Sequence, residues 1–281
     1  MKRIAIAKDT VQILEAGYYC SPDGKRVDLV QDLASCLKQT KCYKPDSLST
    51  IKQEVLSGNS QYSTIEFAVR NETTLMGAER LAHSQQLPKI GVLNFASARN
   101  PGGGFLKGSQ AQEESLARSS ALYKSLLQCP EYYDFHRSHQ SLLYSDRMIY
   151  SPGCPIIRRD DGTLLEKPYL VDFITSPAPN AGAIWRNQPQ EGKKIVEALY
   201  NRGAKLLSLA TYHGCDALVL GAWGCGVFMN EPSIVAQMFA DLLLPKGQFA
   251  GRFKTVLFSV LDSTKQGKTF REFQSRFLKD T

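Results

Sequence analysis

Short apolar runs alternate with longer amphipathic segments along most of the chain. After residue 63, the apolar runs predict buried strands at 64–70, 89–96, 169–175, 216–221 and 255–261, with shorter strands at 148–150 and 154–158. Helices are predicted between these runs, at 73–84, 112–128, 191–213, 230–244 and 269–278. Strands that alternate with helices of this length are typical of an α/β fold whose sheet is covered on both faces.

The first sixty residues are predicted to be helical. Apolar side chains recur there at roughly helical spacing from Ile6 to Tyr18, and Asp28 can cap a second helix. No linker separates this segment from the rest of the chain. The sequence therefore predicts an N-terminal helical extension over residues 1–62 that packs on the same domain as residues 63–281.

The composition excludes several classes of protein. A chain of 281 residues, 43% hydrophobic and 22% charged, can bury a core without disulfides and does not have the composition of a disordered protein. The longest apolar stretch, 217–229, is interrupted by glycines and is too short for a membrane span. The apolar run at 4–7 is too short for the core of a signal peptide. These features predict a cytoplasmic protein.

The net charge and the positions of the cysteines indicate which ligands and which cellular compartment the protein is suited to. The net charge of +7 favours anionic partners without choosing among nucleic acid, nucleotides and polyphosphates. The seven cysteines form no Cys-x-x-Cys pair, and the four histidines do not combine with them at zinc spacing. His213 and Cys215 come nearest to such a spacing. We therefore predict free cysteines in a reducing compartment and no bound metal.

A first loop that could carry chemistry contains three adjacent glycines after an apolar strand. Gly102, Gly103 and Gly104 let a backbone pass close to a ligand and direct its N–H groups at an anion. The loop is not a P-loop, because no Lys-Ser/Thr pair follows the last glycine, and it lacks the dinucleotide spacing Gly-x-Gly-x-x-Gly. The loop therefore indicates anion binding without defining a nucleotide motif.

The helix after this loop opens with polar residues. Ser109 fits a capping box, which would place Gln112, Glu113 and Glu114 in the first turn. Acidic residues there stabilise the helix dipole by about 0.3–1 kcal/mol, so a purely structural role remains open. Adjacent helical side chains point about 100° apart and cannot face each other across one bond. If both glutamates act in one reaction, one acts on the leaving group and the other holds the substrate.

A second glycine loop follows a later apolar strand. Gly221, Gly224 and Gly226 lie between that strand and a helix, an arrangement that makes a diphosphate cradle of backbone amides. Phe228 could stack on a ribose or a base. The alternative interpretation is that Trp223 and Phe228 are core residues of a tight turn.

Taken together, the two loops resemble those of the microbial-type poly(ADP-ribose) glycohydrolases, a branch of the macrodomain superfamily. That family carries three glycines, a short spacer and Gln-Glu-Glu, followed later by a Gly-Cys-Gly-x-Phe loop. The matching residues here are Gly102, Gly103 and Gly104 with Gln112, Glu113 and Glu114, and then Gly224, Cys225, Gly226, Val227 and Phe228. The resemblance covers the chain from about residue 63 onward.

The resemblance implies a macrodomain-like three-layer α/β/α sandwich with a mixed sheet and ADP-ribose across the strand ends. Its implied activity is hydrolysis of the ribose–ribose bonds of poly(ADP-ribose), with Glu114 as general acid and base and without a cofactor. Glu113 would hold the substrate ribose. The other implied substrate-binding residues are Gln112, Asn100, Gly102, Gly103, Gly104, Ala222, Trp223, Gly224, Cys225, Gly226, Val227 and Phe228.

Three other functions remain open at this point. A non-catalytic ADP-ribose-binding macrodomain would use the same cradle, and another macrodomain hydrolase would act on mono-ADP-ribosyl or O-acetyl-ADP-ribose substrates. A nucleic-acid-binding protein would need a basic patch with interleaved aromatic residues, for which only residues 132–137 offer a hint. We interpret that stretch as a packed turn. The expected partners are ADP-ribose, poly(ADP-ribose) and ADP-ribosylated proteins, with no membrane and no specific nucleic-acid partner, and the protein is expected to be a monomer.

Overall fold

A seven-stranded mixed sheet lies at the centre of the computed structural model, which describes residues 2–84, 87 and 89–278. The strands are β1 (Tyr18–Cys20), β2 (Arg26–Asp28), β3 (Lys41–Tyr43), β4 (Glu66–Arg70), β5 (Ile90–Phe95), β6 (Met148–Arg158), β7 (Leu164–Ser176), β8 (Ala217–Leu220) and β9 (Thr255–Ser259). The order in the main sheet is β3-β6-β7-β5-β8-β9-β4, while β1 and β2 pair separately. The β3-β6 and β6-β7 pairs are antiparallel, and the other pairs are parallel.

Helices cover both faces of this sheet. They are α1 (Lys2–Ala16), α2 (Val30–Gln39), α3 (Pro45–Ser57), α4 (Thr74–Ala82), α5 (Gln112–Ser119), α6 (Leu122–Leu126), α7 (Pro130–Ser138), α8 (Ala181–Asn187), α9 (Ile195–Tyr212), α10 (Pro232–Leu243) and α11 (Lys268–Phe277). In β8, Leu218 and Leu220 pack in the core with α3, α9, α10 and α11, while Ala217 and Val219 pack in the core with α2, α4 and α6. The predicted three-layer sandwich is therefore confirmed. No helix in this described part of the chain is long and apolar enough to cross a membrane.

The apolar runs predicted as strands after residue 63 all form strands. The two strands predicted at 148–150 and 154–158 are one strand, β6, with an irregular register between Ser151 and Cys154. The helix predicted over 112–128 is broken at Ser120, whose extended backbone bridges to Ile156 of β6. The helix predicted from 191 begins as a 3-10 turn at Pro189–Lys194. Residues 132–137 lie in the helix α7, so their interpretation as a turn was wrong.

The N-terminal segment is only partly helical, which corrects the prediction for the first sixty residues. Gly17, with a φ of +76°, ends α1, so Tyr18 lies in β1 instead of continuing the helix. Asp28 accepts a hydrogen bond from the amide of Val30 (2.9 Å), but it ends β2 and lies one residue before the cap position of α2, Leu29. Strand β3 pairs with β6 at the edge of the main sheet, so this segment contributes to the sheet.

Candidate active site

Both glycine loops lie at the same edge of the sheet, because they follow the parallel neighbours β5 and β8. A cleft of about 970 Å³ lies between them. The predicted site residues that line it are Asn100, Gly103, Gly104, Gln112, Glu113, Glu114, Ala222, Trp223, Gly224, Cys225, Gly226, Val227 and Phe228. Gly102 is not among them; it adopts a φ of +68° and approaches the ring of Phe105 below the loop.

Glu114 lies in the first turn of α5 against the first glycine loop. Its Oε1 accepts a hydrogen bond from the amide of Gly104 (3.0 Å). Gly103 has a φ of +60°, and a Cβ at that position would overlap Oε1 and lie 2.9 Å from Cδ of Glu114. This close approach requires glycine at position 103. The loop thus holds a half-buried carboxylate at the surface of the cleft.

Glu113 is buried beside it, with only 3% of its surface exposed. Its Oε2 accepts a hydrogen bond from the amide of Ser97 (2.7 Å), and its Oε1 accepts one from Nδ2 of Asn94 (3.2 Å). Burial raises the pKa of Glu113 to about 8, although these hydrogen bonds act in the opposite direction. At neutral pH this carboxyl therefore holds its proton.

The raised pKa of Glu113 predicts how stability changes with pH. Between about pH 4.5 and 8 the folded state holds a proton that the unfolded state has released, so the free energy of unfolding falls as pH rises through this window. The fall is up to about 4 kcal/mol. Glu113→Gln removes this titration, and urea unfolding from pH 5 to 8 should show a flatter profile than wild type. Glu197→Gln, at a helix surface position, is the control and should keep the wild-type profile; equal slopes in Glu113→Gln and wild type would contradict the assignment.

Gln112 was expected to help to position the substrate, and the structure shows its side chain engaged by the protein. Its Oε1 accepts a hydrogen bond from the amide of Phe95 (2.9 Å). Its Nε2 donates to the carbonyl of Leu93 (2.7 Å) and to the hydroxyl of Thr74 (3.2 Å). Gln112 therefore joins the start of α5 to the end of β5 and to α4, and so fixes where the two glutamates lie.

Ser109 does not cap α5, so the predicted capping box was wrong. The cap position is Ala111, which has no side-chain hydrogen bond. The carbonyl of Ser109 instead accepts a hydrogen bond from Nη1 of the buried Arg118 (2.7 Å), which holds this residue outside the cap position. The carbonyl of Arg118 accepts in turn from the hydroxyl of Thr10 (2.6 Å), so α1 supports the same region.

The second glycine loop is held by a buried asparagine that the sequence analysis did not identify. Nδ2 of Asn230 donates to the carbonyls of Gly224 (3.1 Å) and Pro179 (2.8 Å). Gly224 has a φ of +74°, and a Cβ there would lie 2.6 Å from Nδ2 of Asn230. Gly224 thus allows the loop to close over this side chain, and the loop is rigid where the cleft needs a fixed backbone.

The amides of this loop divide into two groups. Those of Trp223 and Cys225 each close a turn within the loop (2.8 and 3.1 Å), and Trp223 is fully buried, in line with its alternative interpretation as a core residue. Within the described residues, the amides of Gly226, Val227 and Phe228 have no acceptor. The same holds for the amides of Ala222 and Gly224, so all these N–H groups are free to bind an anion.

Tyr144 also lines the cleft and was missed from the sequence. It adopts a φ of +59°, and its ring centroid lies 5.9 Å from that of the half-buried Phe228. Arg202, fully buried in α9, donates to the carbonyl of Tyr144 (3.2 Å) and pairs with Asp146 (3.1 Å). No local sequence pattern predicts a left-handed tyrosine, and the arginine that binds its carbonyl lies 58 residues further along the chain.

His213 and Cys215, the nearest approach to a zinc spacing, lie away from the cleft. The ring of His213 stacks on Tyr150 at 3.6 Å, and its Nε2 is hydrogen-bonded to the hydroxyl of Tyr43 (2.8 Å). Burial lowers the pKa of His213 to about 4, and Cys215 is buried as a free thiol. Both residues precede β8 and are packed at the edge of the sheet opposite the cleft.

Comparisons with known proteins agree with this geometry. The family model for the catalytic domain of microbial-type poly(ADP-ribose) glycohydrolase (PARG) matches residues 7–159. The structure of PARG from Thermomonospora curvata bound to the inhibitor ADP-HPD is 47% identical, with a TM-score of 0.91 over 98% of this chain and 99% of that chain. PARG from Deinococcus radiodurans in complex with ADP-ribose is 41% identical, with a TM-score of 0.82 over 88% and 97%. A search of curated proteins found no match.

Proposed function

Because the chain belongs to the microbial-type poly(ADP-ribose) glycohydrolases and hydrolyses poly(ADP-ribose), we propose that Glu114 is its general acid and base. The observation that carries this assignment is the placement of Glu114 at the cleft surface, held by the amide of Gly104 at 3.0 Å. Glu113, the other glutamate of the turn, is buried and occupied by protein amides.

The reaction proceeds by proton transfer at one carboxyl. Glu114 donates its proton to the glycosidic oxygen, the bond from that oxygen to the ribose C1″ breaks, and the electron pair leaves with the oxygen. Water then attacks the oxocarbenium ion at C1″ and gives a proton back to Glu114. The products are free ADP-ribose and a polymer shortened by one unit.

Glu113 binds the substrate ribose and keeps the two glutamates in a fixed position relative to each other. Because burial keeps its carboxyl protonated at neutral pH, its O–H can donate to a ribose hydroxyl while its oxygens remain bound to Ser97 and Asn94. The two glutamates therefore have different roles, because adjacent helical side chains point in different directions. Glu114 acts on the leaving group, and Glu113 binds the ribose.

The second glycine loop binds the diphosphate. The unpaired amides of Gly226, Val227 and Phe228 provide donors, and Asn230 keeps them in place. The ring of Phe228, with Tyr144 beside it, packs on the ribose next to the reacting bond. Asn100, exposed at the cleft, adds a polar contact to the same ribose.

We propose ADP-ribosylated proteins as further partners of the enzyme. We also propose that the enzyme is a monomer in the cytoplasm. Support for a reducing compartment comes from the cysteines, all seven of which are free thiols. The catalytic carboxyl at the cleft favours hydrolysis over a role limited to ADP-ribose binding.

Purified protein is expected to release ADP-ribose from poly(ADP-ribose) as the main product. The measurement is chromatography of the products, with ADP-ribose binding followed by calorimetry and with mono-ADP-ribosylated protein and O-acetyl-ADP-ribose as alternative substrates. Binding without turnover of any substrate would reduce the protein to a binding module, and turnover of the alternative substrates alone would overturn the polymer as substrate.

A further inference from the structure

A group of basic and aromatic side chains lies beside the cleft, outside the site described so far. It consists of Arg99, Phe135, Arg137, His139 and Arg147, and is called the outer arginine patch below. Arg99 lines the cleft, and its carbonyl accepts a hydrogen bond from Nη1 of Arg137 (3.0 Å), which belongs to α7. The patch is therefore continuous with the mouth of the cleft.

Three of these side chains are stacked. The rings of Phe135 and His139 lie 3.7 Å apart at an angle of 22°, and Cζ of Arg147 lies 3.3 Å from the centroid of Phe135. Nδ1 of His139 is hydrogen-bonded to the carbonyl of Phe135 (2.8 Å), which fixes the imidazole ring. His139 is exposed, so the stack presents an aromatic ring to solvent in a set orientation.

The charge of the patch is positive. Among the acidic side chains, Asp134 pairs with Arg137 (2.7 Å), and Glu131 lies at the opposite end of α7. The side chains of Arg99 and Arg147 have no carboxylate within ion-pair distance among the described residues. A polyanion that leaves the cleft on this side therefore meets the guanidinium groups of Arg99 and Arg147, which no carboxylate of the described residues neutralises.

The outer arginine patch lies near the place where the reacting bond is expected. Arg99 belongs to the same loop as Gly103 and Gly104, which hold Glu114, so the patch borders the catalytic end of the cleft. Tyr144 connects the two regions, because it lines the cleft and its ring lies 5.9 Å from that of His136 in α7. A substrate chain bonded to the unit in the cleft continues outward from this end.

We propose that the outer arginine patch binds the adjoining ADP-ribose unit of the polymer, the unit that becomes the new chain end after cleavage. An adenine can stack on the exposed face of His139, and a diphosphate can pair with Arg99 and Arg137. The inference rests on the proposed function. It predicts that the enzyme prefers a polymer to an ADP-ribosyl group on another leaving group.

The test compares two substrates that differ only beyond the reacting bond. One is poly(ADP-ribose), and the other is an aryl glycoside of ADP-ribose whose leaving group is a phenol. Arg99→Glu should raise KM for the polymer about tenfold at low salt, and His139→Ala should raise it about fivefold or more. His139→Ala, outside the cleft, should change neither kcat/KM for the aryl glycoside nor the affinity for free ADP-ribose by more than about twofold. For Arg99→Glu, at the mouth of the cleft, the loss on the polymer should exceed the loss on the aryl glycoside by about fivefold or more.

Lys38→Glu, an exposed charge reversal on α2, is the matched control and should leave KM for the polymer unchanged. In wild type, KM for the polymer should rise with salt, and Arg99→Glu should weaken that dependence. Equal losses on both substrates would assign the residues to the fold of the loop and overturn the proposal. If an oligonucleotide inhibits wild type but not Arg99→Glu, and that variant has an unchanged KM for the polymer, the patch binds nucleic acid instead of the polymer. Failure of wild type to cleave either substrate would instead refute the proposed function.

Discussion

Glu114→Gln lowers kcat for poly(ADP-ribose) by about 100- to 10,000-fold and leaves the affinity for ADP-ribose nearly unchanged; this is the largest expected effect. The glutamine keeps an oxygen that can accept from the amide of Gly104, so the loop retains its geometry. What it loses is the acidic proton that the carboxyl donates to the glycosidic oxygen. The measurements are initial rates of ADP-ribose release and calorimetric binding of ADP-ribose.

The leaving group separates the two roles of Glu114. A phenol departs without protonation, so the loss on an aryl glycoside of ADP-ribose should be smaller than the loss on the polymer. Glu197→Gln on α9 is the control for the change from acid to amide. A variant at position 114 that retains more than about a tenth of the wild-type rate would remove Glu114 from the mechanism and direct attention to Glu113.

Gly103→Ala should lower kcat by about 100-fold, because the new methyl group occupies space that the carboxylate of Glu114 requires. The alanine also adopts a φ near +60° at a cost of about 1 kcal/mol in stability. The rate loss is therefore expected to exceed what destabilisation explains. Rates and thermal unfolding of the same preparation make the comparison.

Gly153→Ala provides a close control for this variant. Gly153 has a φ of +55°, and nothing lies within 4 Å of the position that a Cβ would take. This variant bears the same backbone strain in β6 without approaching Glu114, so it should lose stability and keep its kcat. Equal rate losses in the two variants would show that backbone strain, and not the displaced carboxylate, causes the effect.

The sequence contains the signals for the sheet and for both loops. Runs such as 216–221 are short, apolar and bounded by turn residues, so burial on both faces fixes them as strands wherever they lie in the sheet. The glycines and the Gln-Glu-Glu turn are local in the chain, and they meet because β5 and β8 are parallel neighbours.

Features that depend on distant contacts could not be predicted in this way. The break at Ser120 exists because β6 offers a partner at Ile156, thirty-six residues further along the chain. The left-handed conformation of Tyr144 depends on Arg202, and the failed cap at Ser109 depends on Arg118. In each case a partner elsewhere in the fold, either the backbone of β6 or an arginine side chain, competes with the local preference of the backbone.

Strand β3 has a consequence for any attempt to isolate the motif-bearing part of the molecule. Its three residues cover the backbone of β6 on the outer side of the sheet, where Lys41 pairs with Tyr150 and Tyr43 with Met148. A protein shortened to residues 63–281 would present β6 as an open edge, ready to pair with another chain. The N-terminal segment thus covers residues 148–150 of this edge, in addition to its support of the catalytic loop, and we expect the shortened protein to aggregate more readily than the full chain.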